Sequence, residues 1–313
     1  MIRHFVMALI ALLFANFPTA QAFAATPVST CGAILSVPGD YKVTADLLVC
    51  PGSFAFFGAI TIVSSDVHLH MKGHQITCDD VDGVPNVGIT VVPGLSGVHI
   101  EHGSITGCDV GILMIATSQS KTDKMTLSGN LPDPVFGGGH GLFMDAGNDN
   151  TISNSQFSGN RLGIGMTDSS GNRVTNNEVT DNFASGMDLD TFFGASNGNQ
   201  IVHNIFNGNG NGGISIVGNA SGNIVRGNTT NENGLIGIGL VSIFGVPGLP
   251  IPEGNVIKGN TALANGEADL VEAFLDFSVG FPPDFIVSEP CRNDWQSNNF
   301  VSQIGPDMCI GDP

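Results

Sequence analysis

The chain has one tryptophan and one tyrosine in 313 residues, and only 10 lysines and arginines against 28 aspartates and glutamates. A net charge of −18 argues against nucleic acid and anionic membrane surfaces as partners, because like charge repels both. Polyuronates are disfavoured in the same way unless a cation bridges them. The shortage of tryptophan and tyrosine removes the usual side chains of sugar-stacking grooves, although 20 phenylalanines remain. No apolar run beyond Ala24 reaches the roughly 20 residues that a membrane helix needs, so no membrane span is expected there. No Pro/Ser-rich linker divides the chain, which suits one elongated domain acting as a monomer.

The one long apolar run comes at the start. Arg3 and His4 precede Phe5 to Phe14, and Ala20-Gln21-Ala22 and Ala22-Phe23-Ala24 offer small-residue cleavage sites. Residues 1–24 therefore read as a secretory signal, which predicts a secreted or periplasmic protein. The six cysteines are an even number, as expected in an oxidising compartment. Cys31 with Cys50 and Cys291 with Cys309 bracket the two ends as cap disulfides. Cys78 and Cys108 follow the third strands of adjacent repeats and could form a third bridge or a stacked thiol pair. The expected division is a cap over 25–57, a repeating body over 58–271 and a closing cap over 272–313.

The body repeats with a period of about 23 residues. Glycine opens each unit, followed by apolar residues at alternate positions: Gly141-Leu142-Phe143-Met144, Gly163-Ile164-Gly165-Met166, Gly186-Met187-Asp188-Leu189, Gly213-Ile214-Ser215-Ile216 and Gly237-Ile238-Gly239-Leu240. Each is a short strand with one buried face. A second phrase holds paired asparagines, Asn172 and Asn177, Asn199 and Asn204, Asn223 and Asn228, Asn255 and Asn260. A third ends on Asn160, Asn182, Asn209, Asn233 and Asn265. Three short strands per unit with Asn/Gly corners predict an all-β fold, a right-handed parallel β-helix of about nine coils. Like residues then lie over like, so Asn177, Asn204, Asn228 and Asn260 should form one amide ladder and the third-phrase asparagines another. Met114, Met144, Met166, Leu189, Ile216 and Leu240 should stack inside.

Cys31, Pro38-Gly39-Asp40-Tyr41, Cys50 and the line Leu69-His70-Met71-Lys72-Gly73-His74, together with the closing Cys291-Arg292-Asn293-Asp294-Trp295, resemble secreted β-helix proteins of the NosD type and of the pectate-lyase-like superfamily. His70 and Lys72 depart from that line. The resemblance implies the fold over nearly the whole chain. It leaves activity open, since the superfamily includes lyases, hydrolases, epimerases and accessory proteins. The polygalacturonase order of motifs is absent, because Gly139-His140-Gly141 precedes the acidic strands. Arg161, Arg173, Arg226 and Lys258 read as lying near the second and third strands, away from a first-strand site.

Two insertions, Thr117 to Gly139 and Ile243 to Gly254, mark where a solenoid would place functional loops. The outward positions of the intervening first strands are Phe143 and Asp145, Gly165 and Thr167, Asp188 and Asp190, and Ser215 and Val217. Asp168 stands at the corner and His140 at the strand entrance. His140, Asp145, Asp168, Asp188 and Asp190 are the candidate catalytic set for a polysaccharide, with one carboxyl donating a proton and another activating water. The same carboxylates could hold Ca2+ or be a solvated acidic surface. A second set, His68, His70, His99, Glu101 and His102, falls at equivalent outward positions of the first two coils and could hold copper or zinc. The expectation is a polysaccharide-binding or -processing protein, possible hydrolase or lyase, with a metal-binding accessory protein or a structural surface protein as alternatives.

Overall fold

The computed structural model describes residues 24–53, 57–79, 83–133, 137–243, 250–280, 282–287 and 290–310. The secretory-signal reading, save Ala24, and the centres of both insertions (134–136 and 244–249) lie outside the described residues. Among the described residues, strands are stacked in parallel into two long sheets. The first runs from Ala33–Leu35 through Ile60–Ile62, Val87–Val91, Val110–Ile115, His140–Asp145, Leu162–Thr167, Met187–Asp190, Gly212–Val217 and Ile236–Ile243 to Ala268–Asp276. The second carries the other two strands of each coil, such as Arg173–Thr175 and Glu178–Thr180. In two coils these fuse into single strands, His99–Thr106 and Lys121–Ser128, bent at His102 and Lys124 where φ is 58° and 51°.

Parallel stacking fixes which side chains meet. Met114 pairs in register with Met144, Met144 with Met166, Met166 with Leu189, Leu189 with Ile216 and Ile216 with Leu240. All six are buried, so the expected inner column is present. The adaptable thioether suits that place, where each rung must fit the one below.

The asparagines form three ladders, one more than expected. Asn177 Nδ2 donates to Asn204 Oδ1 (3.0 Å), and Asn204 Nδ2 to Asn228 Oδ1 (3.0 Å). The column continues through Asn260 to Asn298. Asn160, Asn182, Asn209, Asn233 and Asn265 make the second. Asn150, Asn172, Asn199, Asn223, Asn255 and Asn293 make the third, through side-chain and backbone donors. Each interior amide is nearly saturated: Asn204 Nδ2 also donates to Val174 O (2.9 Å), and its Oδ1 accepts from Asn177 N (2.9 Å). Asp269 ends the second ladder, accepting from Asn265 Nδ2 at 2.8 Å. A carboxylate serves there because the last amide needs only an acceptor.

The opening glycines belong to the same device. A Cβ at Gly213 would stand 2.6 Å from Gly237 O and 2.9 Å from Asn233 Nδ2, and one at Gly186 2.8 Å from both Gly213 O and Asn209 Nδ2. The strand enters so close to the ladder that no side chain fits.

Disulfides join Cys31 to Cys50, Cys78 to Cys108 and Cys291 to Cys309. The middle bridge ties adjacent coils and settles the choice that the sequence left open. Parallel pairing extends past both proposed body limits, from Thr26–Val28 on Gly39–Val43 to Asp294–Gln296 on Val256–Lys258. In the closing segment Trp295 Nε1 donates to buried Glu272 Oε2 at 2.9 Å and Arg292 N to Oε1 at 2.9 Å. The first insertion is shorter than its sequence limits, because Lys121–Ser128 belongs to the second sheet, and beyond it Pro132–Asp133 pairs antiparallel with Gly137–Gly138.

Two substitutions should move stability in opposite directions. Asn204→Ala leaves its ladder neighbours unpaired and should cost about 1–3 kcal/mol. Thr230 is fully buried and its Oγ1 has no partner, so Thr230→Val should stabilise by roughly 1 kcal/mol. Urea midpoints of the two variants against the parent check both signs.

Candidate functional site

The in-register pairing assembles the acidic set on the outer face of the first sheet. Asp145 stands beside Thr167 and Thr167 beside Asp190, while Phe143, Gly165, Asp188 and Ser215 form the parallel row. Neighbouring coils lie about 4.8 Å apart and alternate residues about 7 Å apart. These positions are less open than expected. Gly165 and Thr167 are buried, and the aspartates are only partly exposed.

Each group is tuned differently. Asp188 Oδ1 is closed to solvent and has no hydrogen-bond partner. Burial, with a smaller push from Asp190, raises its pKa to about 6 against the opposing pull of Ser185, Ser215 and Arg161. Burial also raises Asp190, which accepts a 2.6 Å hydrogen bond from Thr167 Oγ1 and feels Asp168 and Asp145. Asp145 is raised by burial and by the charge of Asp168. Asp168 goes the other way: burial opposes it, but the N–H groups of Phe193, Gly194 and Phe192 together hold it below the usual carboxylate range. Two of these bonds measure 2.9 Å, from Phe192 N to Oδ1 and from Phe193 N to Oδ2. Asp168 is thus the anchor of the 192–194 turn, with its oxygens already in use.

That turn supplies what the sequence seemed to lack. Trp295 and Tyr41 are buried, but Phe192 is 74% and Phe193 102% exposed, with ring centroids 6.4 Å apart. An apolar pair held out beside Asp190 is costly unless something covers it. The one sequence signal for this pair among 20 phenylalanines is the Thr-Phe-Phe-Gly corner directly after Asp190, which does not reveal their exposure.

His140 packs against Phe143, ring centroids 4.9 Å apart. Burial, aided by Arg161, lowers its pKa to about 4, so it is neutral at pH 7. A Cβ at Gly165 would stand 3.0 Å from Phe143 and 3.1 Å from His140. The glycine lets the Phe143, His140 and Leu162 side chains close over the strand at this point. Arg161 stands between Gln156–Ser158 and Leu162–Thr167, near the third strand as expected, yet its charge acts on both His140 and Asp188 and Nη1 reaches Gly138 O at 3.5 Å.

The histidine set also comes together, on the outer face of the second sheet. His68 pairs with His99 and His70 with Glu101. Among the described residues, convergent groups of three metal-ligating side chains occur here and not at the acidic face.

Comparison with known proteins fixes the hand of the coil. The family profile described as "Right handed beta helix region" matches residues 59–192. The fold is a right-handed parallel β-helix. Its fold is similar to the Dettilon tailspike protein, with TM-score 0.60 and 16% identity over 88% of this chain and 60% of that one. It therefore spans about 60% of the tailspike's length. It is similar also to the periplasmic alginate epimerase AlgG, with TM-score 0.56 and 14% identity over 88% of this chain and 75% of that one. Neither the profile nor these two structures carries the NosD-type name. No curated protein sequence matches significantly. No helix of the described residues is long and apolar enough to cross a membrane.

Asp188 gives a signed prediction. With a folded pKa of about 6, above the unfolded value, its contribution is full below the unfolded pKa and lost as pH rises through 6. Asp188→Asn should therefore raise the melting temperature at pH 7.5 and change it little at pH 4, as calorimetry at the two pH values would show.

Proposed function

We propose that the β-helix is a secreted or periplasmic monomer that binds a polysaccharide along the outer face of its first sheet and cleaves it by acid–base catalysis. The observation that carries this reading is the aspartate pair on one strand, one member kept partly protonated, beside an exposed phenylalanine pair. Asp188 is the general acid, since its raised pKa of about 6 leaves a proton to donate near neutral pH. Asp190 is the base that activates water, helped by Asp145 two coils below. Alternate positions on a strand, about 7 Å apart, lie in the range that leaves room for water between two carboxyls, as in inverting hydrolysis.

The other groups take supporting parts. Phe192 and Phe193 offer apolar area to sugar faces, Asp168 fixes the turn that presents them, and Arg161 acts on Asp188 and on neutral His140 from the strand entrance. The net charge of −18 favours a neutral or cationic glycan over a polyuronate. The fold is shared with a protein named an alginate epimerase, but the substrate reading here rests on these residues. Three disulfides fit the oxidising compartment in which extracellular glycans are met.

Reducing-end release from a panel of neutral and amino-sugar glycans tests the proposal. Asp188→Asn and Asp190→Asn should each lower kcat by about 100- to 10,000-fold, with Glu178→Gln, on the other sheet, as an unchanged control. Phe193→Ala should raise KM more than it lowers kcat. Full turnover in both amide variants, or no glycan bound or cleaved by the parent, overturns the assignment.

A further inference from the structure

The second sheet carries a separate constellation that the carbohydrate reading does not use. Two adjacent coils bring His68 over His99, rings stacked with centroids 4.3 Å apart, and Glu101 beside both. His68 Nε2 lies 3.2 Å from Glu101 Oε1, and His99 Nε2 lies 3.6 Å from Oε2. One donor atom from each of these three residues falls within 4.8 Å of the others. Two ligands bound tetrahedrally to one zinc at 2.0–2.1 Å stand about 3.3 Å apart, close to these separations.

We propose that His68, His99 and Glu101 form a site for one divalent transition-metal ion, zinc or copper, with the remaining coordination position left to solvent or a ligand.

An independent observation points to a missing partner: His99 Nε2 is buried and makes no hydrogen bond. An imidazole nitrogen closed off in that way is uncommon unless something accepts or binds it. The surrounding groups have the arrangement of an outer shell. Asp40 Oδ1 lies 3.3 Å from His68 Nδ1, the outer carboxylate contact that would orient the ring while Nε2 faces Glu101. His70 Nδ1 at 2.5 Å and His102 Nδ1 at 3.2 Å orient the two oxygens of Glu101.

The lysines nearby do not cancel the site. Lys121 Nζ and Lys124 Nζ lie 3.4 and 3.9 Å from Asp123, which offsets much of their charge. A cleft of about 690 Å³, lined by His70, Lys72, Glu101, His102 and Lys124 among others, adjoins the cluster through Glu101. Imidazole nitrogens with one carboxylate suit Zn2+ and Cu2+, and disfavour Ca2+ and Mg2+, which take oxygen sets.

The test uses the whole mature protein, stripped with chelator and titrated at pH 7.5 with zinc or copper salt alone. Calorimetry and elemental analysis after gel filtration should find about one equivalent. The double variant His68→Ala/His99→Ala should hold less than about a tenth of that, Glu101→Gln should bind at least about 100-fold more weakly, and His203→Ala should match the parent. Melting temperatures of the metal-free variants separate loss of ligands from loss of fold, and Glu101→Gln, similar in size, remains informative if the double variant unfolds. No stoichiometric binding by the parent, or an undiminished equivalent in folded variants, overturns the site.

Discussion

The structure depends on the fixed rise of one coil on the next, enforced by asparagine side chains that repeat the backbone's own hydrogen-bond spacing. One amide, about 2.3 Å from oxygen to nitrogen, plus one hydrogen bond of about 2.9 Å spans roughly the spacing of two stacked strands. A column such as Asn177, Asn204, Asn228 and Asn260 therefore satisfies itself and the turning backbone together. Buried polar groups are costly when half satisfied, so the ladder ties each coil to its neighbours and tolerates no slip in register. The glycine at each strand entrance is the steric counterpart of the same column.

Register then does for the outer surface what it does for the core. Side chains far apart in sequence are brought into one column with little freedom: Asp145 and Asp190 are separated by two coils of chain yet both flank Thr167. The acidic face and the histidine face are products of one rule applied to two sheets. They differ in their settings. Aspartates on the first sheet are raised by burial and mutual repulsion, whereas Glu101, despite its burial, is held low by the histidines around it.

Stability and function pull apart at Asp188. A desolvated carboxyl with one unpartnered oxygen weakens the folded state near neutral pH, yet the same environment raises its pKa to about 6, as the proposed acid catalysis requires. Thr230 is also buried with an unpartnered oxygen, but it lies inside the coil away from either face.

The sequence by itself determined the fold, because the code of a solenoid is local: glycine, alternating apolar residues and asparagine recur at offsets that stacking turns directly into contacts. The inner methionine column, two of the three ladders and the cap disulfides were legible for that reason, as were the rungs that hold the aspartates and histidines. The third ladder was present in the second phrase, in Asn172, Asn199 and Asn223, but its residues were read as one phrase with the neighbouring column. Only the tertiary structure decided which outward positions are open and how each is charged. Gly165 and Thr167 are buried because adjacent side chains lean over them, Asp168 is consumed by the backbone of the next coil's turn, and the charge of Arg161 acts on Asp188. Exposure, hydrogen bonding and pKa depend on neighbours one coil away and on irregular corners such as 191–195, whose path no repeat encodes. For the same reason Phe192 and Phe193 could not be singled out until the turn that Asp168 holds was seen to carry them into solvent.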